Sequence, residues 1–300
     1  MDKYKESGVN IEKAEGLVNA LKEKFPEIGG YAGKFQLGEN KLAATCDGVG
    51  TKIKLAIEFN KHREVGQDLV AMSVNDLIAG GSKPLFFLDY FSCGKLDETV
   101  FNEVLSGIEI GIKKAGCLLL GGETAEMPGI YKDADYDLAG FACGIVLKEF
   151  DKSSVRKGDL IAGIRSSGLH SNGFSLVRKT FSEDELSQHR DMIMRPTRIY
   201  SEFTEDDRHK EIFVSDIKSM AHVTGGGIKR ALARLLPSGS TAALEDLELT
   251  DIFEVMQAKG ISRDEMSGVF NMGWGMLFVI DESRSEILDT IDAQVIGRVI

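Results

Sequence analysis

One short segment, residues 121–129 with the sequence GGETAEMPG, constrains this chain more than any other. It follows an apolar run, residues 117–120, that predicts a short buried strand. Glycines after a strand allow left-handed backbone and close approach, and the carboxylate of Glu123 can hold a hard cation. Taken alone, the segment is explained equally well as a tight turn with a solvated glutamate.

The composition indicates a folded protein of about two domains. The chain has 300 residues, of which 43% are hydrophobic and 28% charged, enough for a real core. The formal net charge of -11 argues against a nucleic-acid partner or an anionic membrane surface. A local cation site can still recruit a phosphate-bearing substrate.

Targeting and redox signals favour a cytoplasmic protein. No apolar run approaches the roughly 20 residues of a membrane span, and the N-terminus lacks the apolar core of a signal peptide. The four cysteines show no Cys-x-x-Cys spacing, which argues against a zinc site and is typical of reduced thiols.

The first half alternates predicted strands and helices. We expect an N-terminal helix over residues 11–25, with Asn10 as its cap and Pro26 as its stop. Asp97 should cap a later helix that Gly116 ends. The further elements predicted here are strands over residues 42–46, 85–91 and 137–147 and helices over residues 67–79 and 98–115.

Residues 47–52, DGVGTK, contain the parts of a phosphate cradle at the end of the first of these strands. Asp47 lies where the strand opens, Gly48 and Gly50 expose backbone N–H groups, and Lys52 supplies a point charge. The spacing is not that of a Walker A motif, so the pattern is only moderately specific.

The glycine-rich residues 28–35 leave two interpretations open. They form an ordinary linker, or they form a mobile flap that brings the cation Lys34 to bound phosphates.

Carboxylates interrupt the otherwise apolar helix predicted over residues 67–79. Asp68 and Asp76 lie within about 80° of each other around the helix axis. Although an aspartate on a helix is usually solvated, burying Asp76 without a cation or partner would cost several kcal/mol. Asp47, Asp76 and Glu123 come from separate segments and are the kind of set that holds Mg²⁺.

In the second half, two loops precede helices and carry binding groups. Residues 166–173 combine small residues and hydroxyls with His170, which is either structural or a proton carrier. Gly225–Gly227 are either an anion nest at a helix start or a hinge. We place the domain boundary at residues 150–159, and expect strands over 160–164, 276–280 and 294–300, helices over 174–181 and 228–236, and a loop or short helix over 182–194.

Several of these segments together resemble the aminoimidazole ribonucleotide synthetase family, whose members are phosphoribosylformylglycinamidine cyclo-ligases. The resemblance covers nearly the whole chain in order. Its segments are residues 47–52, 74–77, 84–90, 121–129, 166–173, 196–200, 222–227 and 296–299. The chain departs from the family pattern at Ala32, at the short segment 182–195, and at Trp274, where a small aliphatic residue is usual.

The resemblance implies a fold of two α/β domains, residues 1–150 for ATP, metal and dimerisation and residues 151–300 for substrate. It further implies a homodimer whose N-terminal sheets pair, with ATP near the interface. The implied reaction is ATP-driven ring closure of formylglycinamidine ribonucleotide to aminoimidazole ribonucleotide, with ATP and Mg²⁺ as cofactors.

On this resemblance we assign four groups of site residues. The Mg²⁺ ligands are Asp47, Asp76 and Glu123, with Asp68 as a weaker candidate. The ATP contacts are Asp47, Gly48, Val49, Gly50, Thr51, Lys52, Asn75 and Lys34. The substrate contacts are Ser167, His170, Ser171, Asn172, Thr224, Gly225, Gly226 and Gly227. The catalytic residues are His170 as proton carrier, Asp76 and Lys52.

Two alternatives remain at this point. One is another ATP-using enzyme of the same superfamily, such as a thiamine-monophosphate kinase. The other is a non-catalytic nucleotide-binding module, which would bind ATP without releasing ADP.

Overall fold

A computed structural model describes residues 11–25 and 27–300. The first half contains four helices and five strands within these residues. They are α1 (Ile11–Lys24), β1 (Gly33–Leu37), β2 (Asn40–Gly48), α2 (Lys52–Phe59), α3 (His62–Ala79), β3 (Ser82–Cys93), α4 (Glu98–Ala115), β4 (Leu118–Glu126) and β5 (Tyr136–Val146). The predicted N-cap Asn10 and the predicted stop Pro26 lie outside the described residues.

The second half adds a second sheet and shorter helices. Its elements are β6 (Leu160–Arg165), α5 (Phe174–Thr180), α6 (Glu183–Gln188), α7 (Arg190–Ile193), α8 (Glu202–Glu205), α9 (Asp207–Ser215), β7 (Ser219–His222), α10 (Gly227–Leu235), β8 (Ala242–Leu244), α11 (Ile252–Ala258), α12 (Arg263–Ser267), β9 (Trp274–Ile280) and β10 (Gln294–Val299). Two 3₁₀ segments, Lys152–Ser154 and Glu282–Ile291, complete it.

Each half is built on one five-stranded sheet. The first has the order β1-β2-β5-β3-β4, in which only β3 and β4 pair in parallel. The second has the order β7-β9-β6-β10-β8 and is antiparallel throughout. The α/β fold class is therefore confirmed. The domain limit at residue 150 stays a prediction, because one buried apolar cluster contains residues of both halves.

Local capping signals placed α4 correctly. The Asp97 carboxylate accepts hydrogen bonds from the backbone N–H groups of Thr99 and Val100, at 2.8 and 3.1 Å. Gly116 ends the helix in the left-handed conformation with φ 64°. Because the cap and the stop act within a few residues of the helix ends, the sequence alone could identify them.

The strand over residues 117–120 was expected to be buried, and this prediction was wrong. Leu118 and Leu120 are 64% and 60% exposed, and β4 continues through the two glycines to Glu126. The strand forms an outer edge of the first sheet, paired on one side with β3. An apolar strand at an edge and a buried strand share the same residue types, so the pattern could not separate them.

Within the described ranges, 11–25 and 27–300, no helix is both long enough and apolar enough to cross a bilayer.

Candidate active site

Helix α3 carries the first charged contact of the site, and it is fully buried. The Nζ atom of Lys52 lies 2.7 Å from Oδ2 of Asp68, and both side chains are 0% exposed. Asp68 Oδ1 also accepts from the backbone N–H and the hydroxyl of Thr197, at 2.7 and 2.6 Å. Burial lowers the pKa of Lys52, and the adjacent Asp68 carboxylate opposes that shift.

The lysine ammonium has further partners in the second half. Lys52 donates to the carbonyl oxygens of His170 and Arg195, at 3.0 and 2.9 Å. Together with the ion pair to Asp68, these two hydrogen bonds surround the ammonium with oxygens of the protein. In this arrangement Lys52 and Asp68 are directed at groups of the protein itself, and the expected ATP contact of Lys52 and metal role of Asp68 stay predictions.

Asn75, expected to contact ATP, also joins the two halves. Its side-chain Nδ2 donates to the carbonyl of Arg198 at 2.8 Å, and its Oδ1 accepts from the backbone N–H of Tyr200 at 3.1 Å. The residue is fully buried. Both ends of the amide are thus hydrogen-bonded inside the protein, and the expected ATP contact of Asn75 stays a prediction.

The next residue of α3, Asp76, faces a more open region. Its Oδ1 lies 2.9 Å from Nδ1 of His222, and its side chain keeps 16% exposure. His222 is the last residue of β7. Its position at a strand end directly before Gly225–Gly227 was the available signal for a site residue, yet the sequence reasoning did not select it.

Asp47 lies near enough to Asp76 for the two carboxylates to repel each other. Burial, and to a lesser extent the charge of Asp76, raise the pKa of Asp47 to about 6. The hydrogen bond from the N–H of Gly48 lowers it. That N–H donates to Asp47 Oδ1 at 2.8 Å. The structure thus brings together two of the three predicted metal ligands.

Glu123, the third predicted ligand, lies elsewhere in the chain. The strand pairings put Gly48, Ala139, Tyr90 and Glu123 in one row, so Glu123 is three strand spacings, about 14 Å, from the end of β2. Its exposed Oε1 accepts from the N–H of Thr124. Among the described residues, no cluster of three His, Cys, Asp or Glu side chains could hold a metal ion. Convergence of the three carboxylates within one chain is therefore corrected.

The turn between β2 and α2 keeps part of the expected phosphate cradle. Gly50 has φ 72° and is exposed, while Val49 is buried. Thr51 is exposed, with its hydroxyl 3.1 Å from that of Ser175. Lys34, expected on a flap, belongs to β1, and its Nζ lies 3.6 Å from Oε1 of Glu149.

His170 is fully buried in the loop after β6, with φ 61°. Burial, followed by the charges of His222, Lys52 and Arg198, lowers its pKa well below the ordinary value. Its Nε2 accepts from the N–H of Ser167 at 3.3 Å, whereas Nδ1 has no partner within the described part of the chain. The lowered pKa disfavours the protonated ring, and the role of His170 as proton carrier stays a prediction.

The remaining substrate candidates form two loops that meet. The Ser167 hydroxyl donates to the carbonyl of Pro196 at 2.5 Å, and the Ser171 hydroxyl lies 3.2 Å from that of Thr197. A Cβ placed on Gly225 would lie 3.8 Å from Oδ1 of Asn172. The Asn172 Nδ2 is buried and has no partner in the described residues, so it can donate to a ligand.

Left-handed backbone shapes the glycine nest. Gly226 and Gly227 have φ 91° and 63°, and a Cβ on Gly227 would lie 2.5 Å from the carbonyl oxygen of Ser267. The carbonyl of Thr224 accepts from the N–H of Gly227 at 2.9 Å. Glycine is therefore required where the chain enters α10.

Tyr31 is a second residue that the sequence reasoning missed. Its hydroxyl donates to the carbonyl of His222 at 3.1 Å, which ties the glycine-rich segment before β1 to the end of β7. Burial raises the pKa of Tyr31 to about 12. No local pattern pointed to this contact, because its partner is 191 residues away.

Two family models match the chain. "AIR synthase related protein, N-terminal domain" matches residues 29–146 and "AIR synthase related protein, C-terminal domain" matches residues 156–300. A phosphoribosylformylglycinamidine cyclo-ligase of Alkaliphilus metalliredigens is 44% identical over 94% of this chain and 89% of its own length. One of Thermoanaerobacter sp. is 45% identical over 93% and 90%.

Solved structures share the fold at low identity. The thiamine monophosphate kinase of Aquifex aeolicus superposes with a TM-score of 0.69 at 18% identity, covering 97% of this chain and 95% of its own. The hydrogenase maturation protein HypE, solved in complex with ATP, superposes with a TM-score of 0.61 at 17% identity, covering 89% and 79%.

Proposed function

The chain belongs to the phosphoribosylformylglycinamidine cyclo-ligases of the AIR synthase related protein family, and we propose that its reaction centre is the cleft beside Asp47, Asp76 and His222. It catalyses the ATP-dependent ring closure of formylglycinamidine ribonucleotide to 5-aminoimidazole ribonucleotide in purine biosynthesis. The identity of 44% over 94% of the chain carries this conclusion. The kinases of the superfamily resemble the chain only in fold, at 18% identity, and are less supported.

The chemistry explains what the cleft must do. The formamide oxygen is a poor leaving group, so transfer of the γ-phosphoryl group of ATP to it makes an iminophosphate. The neighbouring amidine nitrogen then attacks the same carbon, and phosphate leaves with the former formyl oxygen. Both reacting groups belong to one molecule, so the main task of the protein is to hold the reactive conformer and stabilise the phosphoryl charge.

Asp47 and Asp76 fit a divalent cation. They present hard oxygen donors, and burial first and then the charge of Asp76 raise the pKa of Asp47. His222 holds Asp76 through one oxygen and leaves the other available. Mg²⁺ bound there would neutralise the pair and spread the charge of the transferring phosphoryl group. We therefore retain Asp47 and Asp76, and not Asp68, as its ligands from this chain.

Substrate contacts follow from the unused donors. Gly50 and Thr51, at the N-terminus of α2, are proposed to face ATP phosphates. The unpartnered Nδ2 of Asn172 points to the ribonucleotide, which would lie between the loop at residues 167–172 and the nest Gly225–Gly227. His170 supports that loop as a neutral ring.

We propose a homodimer that covers the exposed apolar face of the first sheet. Large apolar side chains on β1, β4 and β5 are exposed, which is costly for a lone chain. They are Phe35, Leu37, Leu118, Leu120 and Phe141. Glu123 lies on this edge, so a second copy offers a way to complete the Asp47–Asp76 site. A reducing compartment such as the cytoplasm suits Cys93, Cys117 and Cys143, buried thiols whose pKa values burial raises.

The direct test is incubation of the purified protein with formylglycinamidine ribonucleotide, ATP and Mg²⁺. The expected product, aminoimidazole ribonucleotide, gives a colour on diazotisation, and one ADP should appear for each ring closed. ATP binding without ADP release would instead support a non-catalytic nucleotide-binding module.

A further inference from the structure

A cavity of about 710 Å³ lies between the glycine-rich segment, the end of α3 and helix α10. We call it the cation cavity, because five of the described side chains that line it are basic. They are Lys22, Lys34, Lys152, Arg230 and Arg234. No Asp or Glu occurs among its described lining residues, although Lys34 lies 3.6 Å from Glu149 outside the lining and Arg230 also has an interaction of its own.

Two of these cations lie close together without a carboxylate between them. Burial and then the charge of Arg234 lower the pKa of Lys152. Among the side chains that the structure describes, no carboxylate forms an ion pair with Lys152 or Arg234. The Arg234 guanidinium lies instead over the ring of Tyr31, 5.1 Å from its centroid. Cations gathered in this way are stabilised by a bound anion.

The cation cavity is connected to the reaction centre by direct contacts. Tyr31 stacks on Arg234 on one side and donates its hydroxyl hydrogen to the carbonyl of His222 on the other. His222 in turn contacts Asp76. A ligand that spans this distance would place a charged end in the cavity and its reacting end near Asp76.

We propose that the cation cavity binds a phosphate ester of one of the two substrates, with Lys152 and Arg234 as its principal cationic ligands. Both substrates of the proposed function carry such a group, as the triphosphate of ATP or the ribose phosphate of the ribonucleotide, and the inference rests on that function. Arg234 offers a planar fork for phosphate oxygens and Lys152 a point charge.

Separate calorimetric titrations of Mg²⁺-ATP and of formylglycinamidine ribonucleotide test the proposal and identify the source of the phosphate. The variants are Lys152→Gln, Arg234→Gln and the charge-keeping Arg234→Lys. Lys229→Gln is the matched control, because it removes one charge from the same helix at an exposed pair with Asp264. Affinity for one of the two ligands should fall about tenfold or more in both glutamine variants, and less in Arg234→Lys.

Changes within twofold of the Lys229→Gln control for both ligands would overturn the proposal. If the wild-type protein binds neither substrate, the proposed function fails. A thermal melt with inorganic phosphate then tests separately whether the cavity binds phosphate. A rise in wild-type Tm with phosphate that disappears in Lys152→Gln and Arg234→Gln supports a phosphate site. Equal rises in all proteins, or none in any, would reject it.

Discussion

Two pairs of charged side chains on neighbouring segments differ in whether their members neutralise each other. Lys52 and Asp68 neutralise each other at 2.7 Å in a fully buried contact. Asp47 and Asp76 share a sign, and Asp76 retains contact with solvent. The first pair is complete within the chain, whereas the second has His222 beside two carboxylates of the same sign.

The comparison separates structural charges from binding charges. Motif membership did not distinguish them, since Lys52 of the first pair and both members of the second lie in segments that resemble the family. What distinguishes them is whether the protein itself supplies the partner. A buried pair of opposite charges stabilises the fold only while both members are present. A pair of carboxylates is instead stabilised by a bound ligand of opposite charge.

The largest effect should come from breaking the first pair. Lys52→Met leaves Asp68 buried without its cation, so the free energy of unfolding should fall by about 3–5 kcal/mol. Urea unfolding at pH 7 measures it. The double variant Lys52→Met/Asp68→Leu should recover much of the loss, and a loss below about 1 kcal/mol in the single variant would contradict a pair that holds the fold together.

Removing charge from the second pair should affect turnover and not stability. Asp76→Asn keeps an oxygen that accepts from His222, so Tm should stay near that of the wild type. Turnover should fall at least about 100-fold, because the charge that holds the proposed cation is lost. Steady-state kinetics beside a thermal melt separates the two outcomes. A fully active Asp76→Asn protein would remove it from the metal ligands.

A third prediction tests whether a second copy of the chain is available to complete the Asp47–Asp76 site. Leu120→Glu puts a charge on the exposed face of β4 and should raise the dimer Kd roughly 30-fold, from about 2 kcal/mol of lost burial. Sedimentation should show a shift from twice the 32.8 kDa chain mass towards the monomer. Lys113→Glu, exposed on α4, is a control for added negative charge. A wild-type protein that is monomeric at all concentrations would contradict the dimer.

The smallest predicted effect concerns His170, whose ring is buried in its neutral form and needs no partner of opposite charge. Its folded pKa lies well below the ordinary 6.5 of the unfolded chain. As pH falls below 6.5, the unfolded state takes up a proton that the folded state refuses, so stability decreases. Between pH 7.5 and 5.5 the wild type should lose about 1.4 kcal/mol more than His170→Gln, by urea unfolding at each pH. An equal loss in both proteins would show that His170 titrates normally.

Sequence reasoning succeeded where the physical cause is local. The Asp97 cap and the Gly116 stop depend on neighbours within four residues, and both were confirmed. The alternation of strands and helices also gave the α/β class. The sequence reasoning could not predict the contacts of Lys52, whose partners include carbonyls 118 and 143 residues away. It could not predict the exposure of Leu118, which depends on the place of β4 at a sheet edge.

For the candidate site, the sequence identified carboxylates but not their spatial grouping. Asp47 and Asp76 were predicted together and lie together, because β2 and α3 pack on each other. Glu123 was grouped with them on residue type alone, and the strand order separates it by two intervening strands. His222 and Tyr31 were missed, since their roles come from contacts that cross the whole chain.

The backbone carbonyls that accept hydrogen bonds from Lys52 have a consequence for protein engineering. A chimera that joined residues 1–150 of this chain to the second half of a relative would need backbone at positions 170 and 195 in the same place, or the ammonium would face empty space. Two such halves would then fit poorly even when each sheet is intact. Successful recombination should therefore exchange Lys52, Asp68 and the loops around 170 and 195 as a set.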